Sequence, residues 1–194
     1  MGNQINYILI SLFIFFFDIG LAQDLKNDNS FFYKKKWFIS SGIGAQMSGI
    51  KKVDFVSSNI APSLMLNAGL WFTPEIALQI GYKGSYFHTI SDNDKHHYSY
   101  ILGEVLLNLN ELIAGDNISN DKWSVIFHPG VGYFHNKYYG RPNICANLGI
   151  INSIKVTNKF DVFIDVSAIV GWDIYQGDED ILPSINIGFI YTFR

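Results

Sequence analysis

A histidine and a serine that could act as a catalytic pair lie together in the segment "HYS", from His97 to Ser99. An imidazole can take the proton of a serine hydroxyl, and alternate positions of a β-strand place both side chains on one face. Such a pair needs a carboxylate that orients the imidazole. Glu104 has the opposite strand parity, and Glu111 would lie beyond the far end of the same strand. His97 and Ser99 are therefore candidate catalytic residues, but we predict no catalytic site. We expect that the protein is not an enzyme.

Histidines near the ends of the predicted strands are a second group that could do chemistry. They are His88, His96, His97 and His135, and two acidic residues, Asp92 and Asp94, lie among them. Imidazole and carboxylate together can bind Zn or Cu. The histidines follow no fixed two-histidine spacing, so we expect a polar rim, no metal site and no cofactor.

The elements that carry these residues are predicted to be β-strands, because apolar and polar residues alternate with a period of two through most of the chain. In the last run, "INIGFIYTF" at residues 185–193, the large apolar side chains alternate with small or polar ones, with one exception. Eight such runs follow Trp37. Short turns such as Thr73-Pro74 alternate with longer polar loops, which predicts an all-β, eight-stranded antiparallel up-and-down barrel.

The polar face of these strands indicates that the barrel lies in a membrane. A soluble barrel would turn Lys, Glu, Asp and Arg to water, whereas the polar positions here are mostly Ser, Gly and Asn. Small uncharged residues suit the crowded lumen of a narrow barrel, and the apolar face suits lipid. Charged residues make up only 16% of the chain. The fold class is therefore predicted to be a transmembrane β-barrel preceded by a signal peptide.

Several charged residues have the parity of the lumen, where an unpaired charge is costly. The predicted lumen charge network consists of Lys83, Glu104, Lys122, Lys155, Asp161 and Asp165. A turn centred on Asn158 would place Lys155 opposite Asp161, both inward. We expect these residues to plug the lumen rather than to form an ion or proton path.

Aromatic residues fall near both ends of the predicted strands, as in the interfacial girdles of membrane proteins. The predicted girdle comprises Trp37, Phe72, Trp123, Trp172, Tyr191 and Phe193. Arg194, which follows the last aromatic, is expected at the periplasmic rim.

The N-terminal residues are predicted to be a targeting segment. The apolar run "YILISLFIFFF" is shorter than the ~20 residues of a membrane-spanning helix, and small residues follow it at Gly20 and Ala22. Cleavage is expected near Ala22/Gln23. The predicted domains are a signal peptide over residues 1–23, a periplasmic lead-in over residues 24–36 and a barrel over residues 37–194.

Composition also excludes two classes of protein. With a net charge of −3, the chain lacks the excess of basic residues that is typical of nucleic-acid-binding proteins. Cys145 is the single cysteine, so the chain has neither an internal disulfide framework nor a CxxC motif.

With these patterns, the chain resembles the small outer-membrane β-barrels of the OmpA/OmpX type over about residues 37–194. It looks most like those of Bacteroidetes-type bacteria, where a signal ending in "AQ" and a segment like "LLNLNELIAGDNISNDKW" are familiar. The resemblance implies the outer membrane of a Gram-negative bacterium. It also implies that the insertion machinery of that membrane reads the last strand. Outer-membrane lipid A deacylases are similar in having a His-x-Ser pair, but this chain lacks their orienting Glu in a suitable place.

Three functions are compatible with the predicted outer-membrane barrel. The first is a structural or surface-interaction barrel that meets outer-membrane lipid and lipopolysaccharide, with its lumen plugged. The second is a subunit of a larger envelope complex, which would contact a protein partner through the turn at residues 111–121. The third is a lipid A-modifying enzyme, which the missing carboxylate argues against. Eight strands leave too little room for a wide diffusion pore.

Overall fold

The computed structural model describes residues 35–48, 59–88, 95–114, 122–138, 140, 142–172, 174 and 179–193. Nine β-segments and one short helix account for most of these residues. The strands are β1 (Lys36–Met47), β2 (Ile60–Trp71), β3 (Ile76–His88), β4 (Lys95–Asn108), β5 (Trp123–Phe127), β6 (Gly130–Asn136), β7 (Pro142–Lys155), β8 (Phe160–Trp172) and β9 (Glu179–Thr192). The helix, α1 (Leu109–Ala114), follows β4.

The strands form one antiparallel sheet that closes on itself. Each strand pairs with its neighbours in the chain, except that β5 and β6 follow each other in one position between β4 and β7. Because β1 pairs with β9, the sheet has no free edge. In the closing pair, Ile43 lies opposite Ile187, and the amide of Phe193 donates to the carbonyl of Trp37 at 2.8 Å. The ring has eight strand positions, which confirms the predicted up-and-down barrel.

The fifth position of the ring was predicted as one continuous strand and is instead divided into β5 and β6. Both segments keep a single register with β4, since Phe127 pairs with Leu107 and Gly130 pairs with Glu104. Between them, the amide of Val105 donates to the carbonyl of Pro129 at 3.0 Å. Proline has no N–H with which to return that bond, so the ladder is interrupted there.

The helix α1 is a second departure from the predicted strands. In the sequence, Leu109 continues the alternation of the fourth run, which predicts a strand position, but in the structure it begins α1. Asn110, in the first turn of α1, contributes to the change, because its Oδ1 accepts a hydrogen bond from the amide of Val125 at 2.8 Å. This bond ties the helix to the start of β5. Among the described residues, no helix is long and apolar enough to cross a membrane.

The two faces of the wall are opposite to those of a soluble barrel. Along β7, for example, the outward residues are exposed and the residues between them, such as Cys145 and Asn147, are buried in the lumen. The exposed residues are large and apolar, with Ile43 at 69% and Ile144 at 77% exposure. Burial is therefore inside the ring, where polar and charged side chains lie among apolar ones, whereas the exposed outer face is almost wholly apolar.

The predicted signal peptide, most of the lead-in and Arg194 lie outside the described residues, as do most of the long loops.

Candidate functional site

The centre of the lumen holds four charged or titratable side chains that contact one another. His128 lies between two carboxylates, with Nδ1 2.9 Å from Oε1 of Glu104 and Nε2 3.0 Å from Oδ1 of Asp165. The Nζ of Lys83 lies 3.8 Å from Oδ2 of Asp165. All four side chains are at most 5% exposed. We call Lys83, Glu104, His128 and Asp165 the central cluster.

Neutral polar side chains complete the hydrogen bonding of the central cluster. Lys83 donates to Oδ1 of Asn147 at 3.0 Å and to Oγ of Ser167 at 2.9 Å. Glu104 accepts from Asn147 at 2.7 Å and from Gln79 at 2.5 Å. Oγ of Ser167 in turn donates to Asp165 at 3.1 Å. Buried charges are tolerated in proteins when their remaining lone pairs and protons are satisfied in this way.

The charges of the central cluster balance if His128 is doubly protonated. An ionised carboxylate can only accept hydrogen bonds, and His128 faces a carboxylate oxygen at each ring nitrogen. Both nitrogens therefore carry protons when Glu104 and Asp165 are ionised. With Lys83, the cluster then has two positive and two negative charges, which is the arrangement that a low-dielectric interior favours.

Strand geometry brings the central cluster together. Its members come from β3, β4, the junction of β5 and β6, and β8, and each occupies an inward position of its strand. Gly149 of β7 leaves room for the imidazole, because a Cβ at this position would lie 2.4 Å from Nε2 of His128. This close approach requires the absence of a side chain at Gly149.

Two apolar layers lie on either side of the central cluster. The layer towards the long loops contains Phe87, Tyr98, Tyr100, Leu102, Phe134, Cys145, Ile169, Ile174 and Leu182. The layer towards the short turns contains Phe38, Met65, Ala77, Leu106, Ile126, Ile151, Phe163 and Ile190. In the loop-side layer, the rings of Tyr98 and Phe134 stack with centroids 4.9 Å apart. Polar groups thus occupy the middle of the lumen and packed apolar groups occupy both sides of it.

The structure divides the predicted lumen charge network into two groups. Lys83, Glu104 and Asp165 come together in the central cluster. The other three residues, Lys122, Lys155 and Asp161, line a cavity where the lumen opens at the short turns. Lys155 is the cross-strand partner of Asp161, as the turn at Asn158 predicts. These three lie at or next to the ends of their strands, where Lys122 and Lys155 are exposed and Asp161 is half-buried.

Sequence reasoning missed His128, which links the two carboxylates of the central cluster. The predicted network was restricted to Lys, Asp and Glu. The signal was nevertheless present, because His128 has the inward parity of the fifth strand and lies near Glu104 in the register.

The candidate histidines of the loop end do not converge on one site. His96 is buried in the lumen, where its ring stacks on that of Tyr138 at 4.1 Å. His97 is exposed on the outer face. The side chain of His88 is not among those that the structure describes. His135 faces outward opposite Ser99. Within the described ranges, no group of three or more His, Cys, Asp and Glu side chains is arranged to hold a metal ion.

The candidate catalytic pair shares the outer face, as its parity predicts. His97 is exposed and Ser99 is half-buried at the loop end of β4. Glu104, on the same strand, is bound to His128 in the lumen, and Glu111 lies at the opposite end of the barrel. Neither carboxylate is placed to orient the imidazole of His97.

The predicted girdle residues lie at the two ends of the wall. Trp37, Trp123 and Phe193 are exposed at the short-turn end, and Trp172 is exposed at the loop end. Phe72 and Tyr191 are half-buried at the short-turn end.

Comparison with known proteins shows the fold. No protein-family model matches the chain, and no curated protein matches it in sequence. Among solved structures, Neisserial surface protein A (NspA) is similar, with a TM-score of 0.55 and 10% identity over 81% of this chain and 97% of that one. Ail, the attachment invasion locus protein of Yersinia pestis, is similar with a TM-score of 0.51 and 14% identity over 83% of this chain and all 100% of its own. The chain thus has the fold of the small eight-stranded outer-membrane β-barrel proteins.

Proposed function

We propose that the protein is an integral outer-membrane barrel of a Gram-negative bacterium, with a structural or surface-interaction role and no enzymatic activity. The observation that carries the proposal is the outer face of the barrel, whose exposed side chains are large and apolar, while charged side chains such as Lys83 and Asp165 are buried in the lumen. An exposed apolar band of this extent needs lipid around it. The signal peptide predicted to be cleaved near Ala22/Gln23 supports export. The sequence features shared with Bacteroidetes-type barrels support such a source.

The proposed barrel does not act as a diffusion pore. Ions that entered from either end would meet one of the two apolar layers before they reached the central cluster. Apolar constrictions exclude water and so oppose ion passage. The central cluster then stabilises the barrel rather than conducting through it.

Three measurements test this proposal, two of them on the refolded protein and one on membranes from cells. A closed membrane barrel should migrate differently on a gel before and after boiling, and it should co-purify with outer membranes. In a planar bilayer it should show no stepwise conductance, while a porin in the same apparatus serves as the positive control. A soluble protein whose migration boiling does not change, or stable porin-like steps, would contradict the proposal.

The outer face at the loop end supports lipopolysaccharide as a partner. Lys95, His97 and Lys137 are exposed there on one face. The Nζ of Lys95 lies over the ring of Tyr86 at 5.0 Å, and the amide of Lys137 donates to the carbonyl of His97 at 2.9 Å. A cation beside an aromatic ring at the membrane surface suits the phosphate groups of this lipid.

Charge reversal tests this contact. Lys95→Glu with Lys137→Glu should weaken association with vesicles that contain lipopolysaccharide, as measured by flotation at rising salt. Lys122→Glu with Lys155→Glu, at the other end of the barrel, is the matched control. Equal effects of the two double variants would argue against the loop-end contact.

The absence of enzymatic activity rests on the position of Glu104 and Glu111 away from His97. Lipid A from cells that overproduce the protein should keep its mass. A loss of acyl chains that disappears in Ser99→Ala would instead show that the protein modifies lipid A.

A second candidate function, a subunit of an envelope complex, is favoured by helix α1 in the 111–121 turn. Leu112 and Ile113 are 50% and 83% exposed there. Exposed apolar residues beside the barrel rim are suited to a protein contact. Purification in mild detergent would then recover a stoichiometric partner from the wild type but not from Leu112→Glu with Ile113→Glu.

A further inference from the structure

The lumen opens at the short-turn end into a basin that neither the central cluster nor the apolar layers fill. Its volume is about 690 Å³, within the range of small-molecule sites. Its floor is the apolar layer, to which Ile126 and Ile190 contribute. The basin is therefore a dead end, which suits binding rather than passage.

Positive charge predominates among the charged residues that line the basin. They are Lys35, Lys36, Lys122, Lys155, Glu111 and Asp161. The lysines come from opposite walls, because β1 and β5 lie across the ring from each other in the strand order. Charges of one sign that converge in a concave site with low-dielectric walls raise the local concentration of ions of the other sign.

Two of these lysines have ammonium groups that form no ion pair with a described carboxylate. Lys122 and Lys155 lie side by side, with the amide of Lys155 donating to the carbonyl of Lys122 at 2.9 Å. Within the described part of the chain, neither ammonium group lies within 4.0 Å of a carboxylate. This holds even though Asp161 is the cross-strand partner of Lys155.

Hydrogen-bonding and aromatic groups surround the lysines. Ser124 and Ser153 share a hydrogen bond of 2.8 Å on the wall of the basin. Trp71, which packs against the apolar layer, contributes a flat apolar surface to the lining. A ligand that carries both anionic groups and an apolar or sugar-like face would match this combination.

We propose that this basin binds a small anion that bears two or more carboxylate or phosphate groups. The ligand would come from the compartment that the short turns face. Its assignment to the periplasm rests on the proposed outer-membrane location, but the binding itself depends only on the basin.

The test uses the full mature chain, refolded into nanodiscs, and titrates it with citrate and with pyrophosphate. We expect saturable binding by calorimetry that weakens as salt rises. Lys122→Glu with Lys155→Glu should weaken binding of at least one probe by about tenfold or more. Preference for one probe would distinguish a carboxylate ligand from a phosphate ligand. The matched control is Lys95→Glu with Lys137→Glu, which carries the same charge change at the loop end and should bind as the wild type does.

Two results would overturn the basin proposal. One is the absence of saturable binding by either probe. The other is an equal loss of binding in both double variants, which would indicate only a general effect of net charge. The boiling-dependent gel shift of each variant reports folding separately, so failure of the basin can be told apart from failure of the membrane barrel.

Discussion

His128 is the residue on which the central cluster depends most. It bridges Glu104 and Asp165, and both carboxylates would lose a charged partner without it. His128→Ala is therefore expected to lower the free energy of unfolding by about 3–5 kcal/mol, the usual cost of breaking a buried ion pair. Denaturant unfolding of the protein in lipid vesicles measures this loss.

Two further variants separate charge from cavity formation at His128. Glu104→Gln, added to His128→Ala, should recover part of the lost stability because it removes the carboxylate that is left unpaired, while Lys83 and Asp165 still neutralise each other. His135→Ala, on the outer face, should change stability by less than about 1 kcal/mol. A loss at His128 that Glu104→Gln does not reduce would mean that packing, and not charge, holds the cluster.

At the scale of the elements, the alternation of residues predicted most of the barrel. A period of two determines which side chains share a face, and a one-residue slip would exchange all of them. The alternation from Ile185 to Phe193 therefore correctly predicts which residues of β9 face outward. The position of Lys155 opposite Asp161 could be predicted because a short turn sets the register of its hairpin.

The remaining features depend on contacts that periodicity does not encode. The meeting of His128 with Asp165 joins residues 37 positions apart in the chain across the lumen, so no local pattern contains it. Helix α1 depends in part on the bond from the amide of Val125 to Asn110, which exists only once β5 is in place. The basin depends on the distance between opposite walls.

The break between β5 and β6 yields a prediction about the wall itself. Pro129 accepts a hydrogen bond from Val105 but cannot return one. Pro129→Val should restore the missing donor and raise the free energy of unfolding by about 0.5–1.5 kcal/mol. Hydrogen exchange should show a protected amide at position 129. A less stable variant, or a rapidly exchanging amide, would mean that the interruption is needed to place His128.

At the scale of the whole molecule, the apolar outer face predicts that a lysine substitution lowers the free energy of unfolding by different amounts in lipid and in water. Ile187 lies in the middle of β9, and it is 58% exposed. If hydrocarbon surrounds it, Ile187→Lys should cost about 2–4 kcal/mol, the cost of a lysine at the bilayer midplane. In water, the same exposed position would tolerate lysine with little change.

Val156 is the matched control for Ile187, because it is exposed to a similar degree, at 61%, but lies in the turn between β7 and β8. Val156→Lys should cost no more than about 1 kcal/mol, since lysine near the interface can extend its ammonium group to water. Both variants are measured by unfolding in vesicles of the same composition. A large difference between them places the apolar band in the membrane, whereas two equally small effects would mean that the outer face meets water and that the membrane location is wrong.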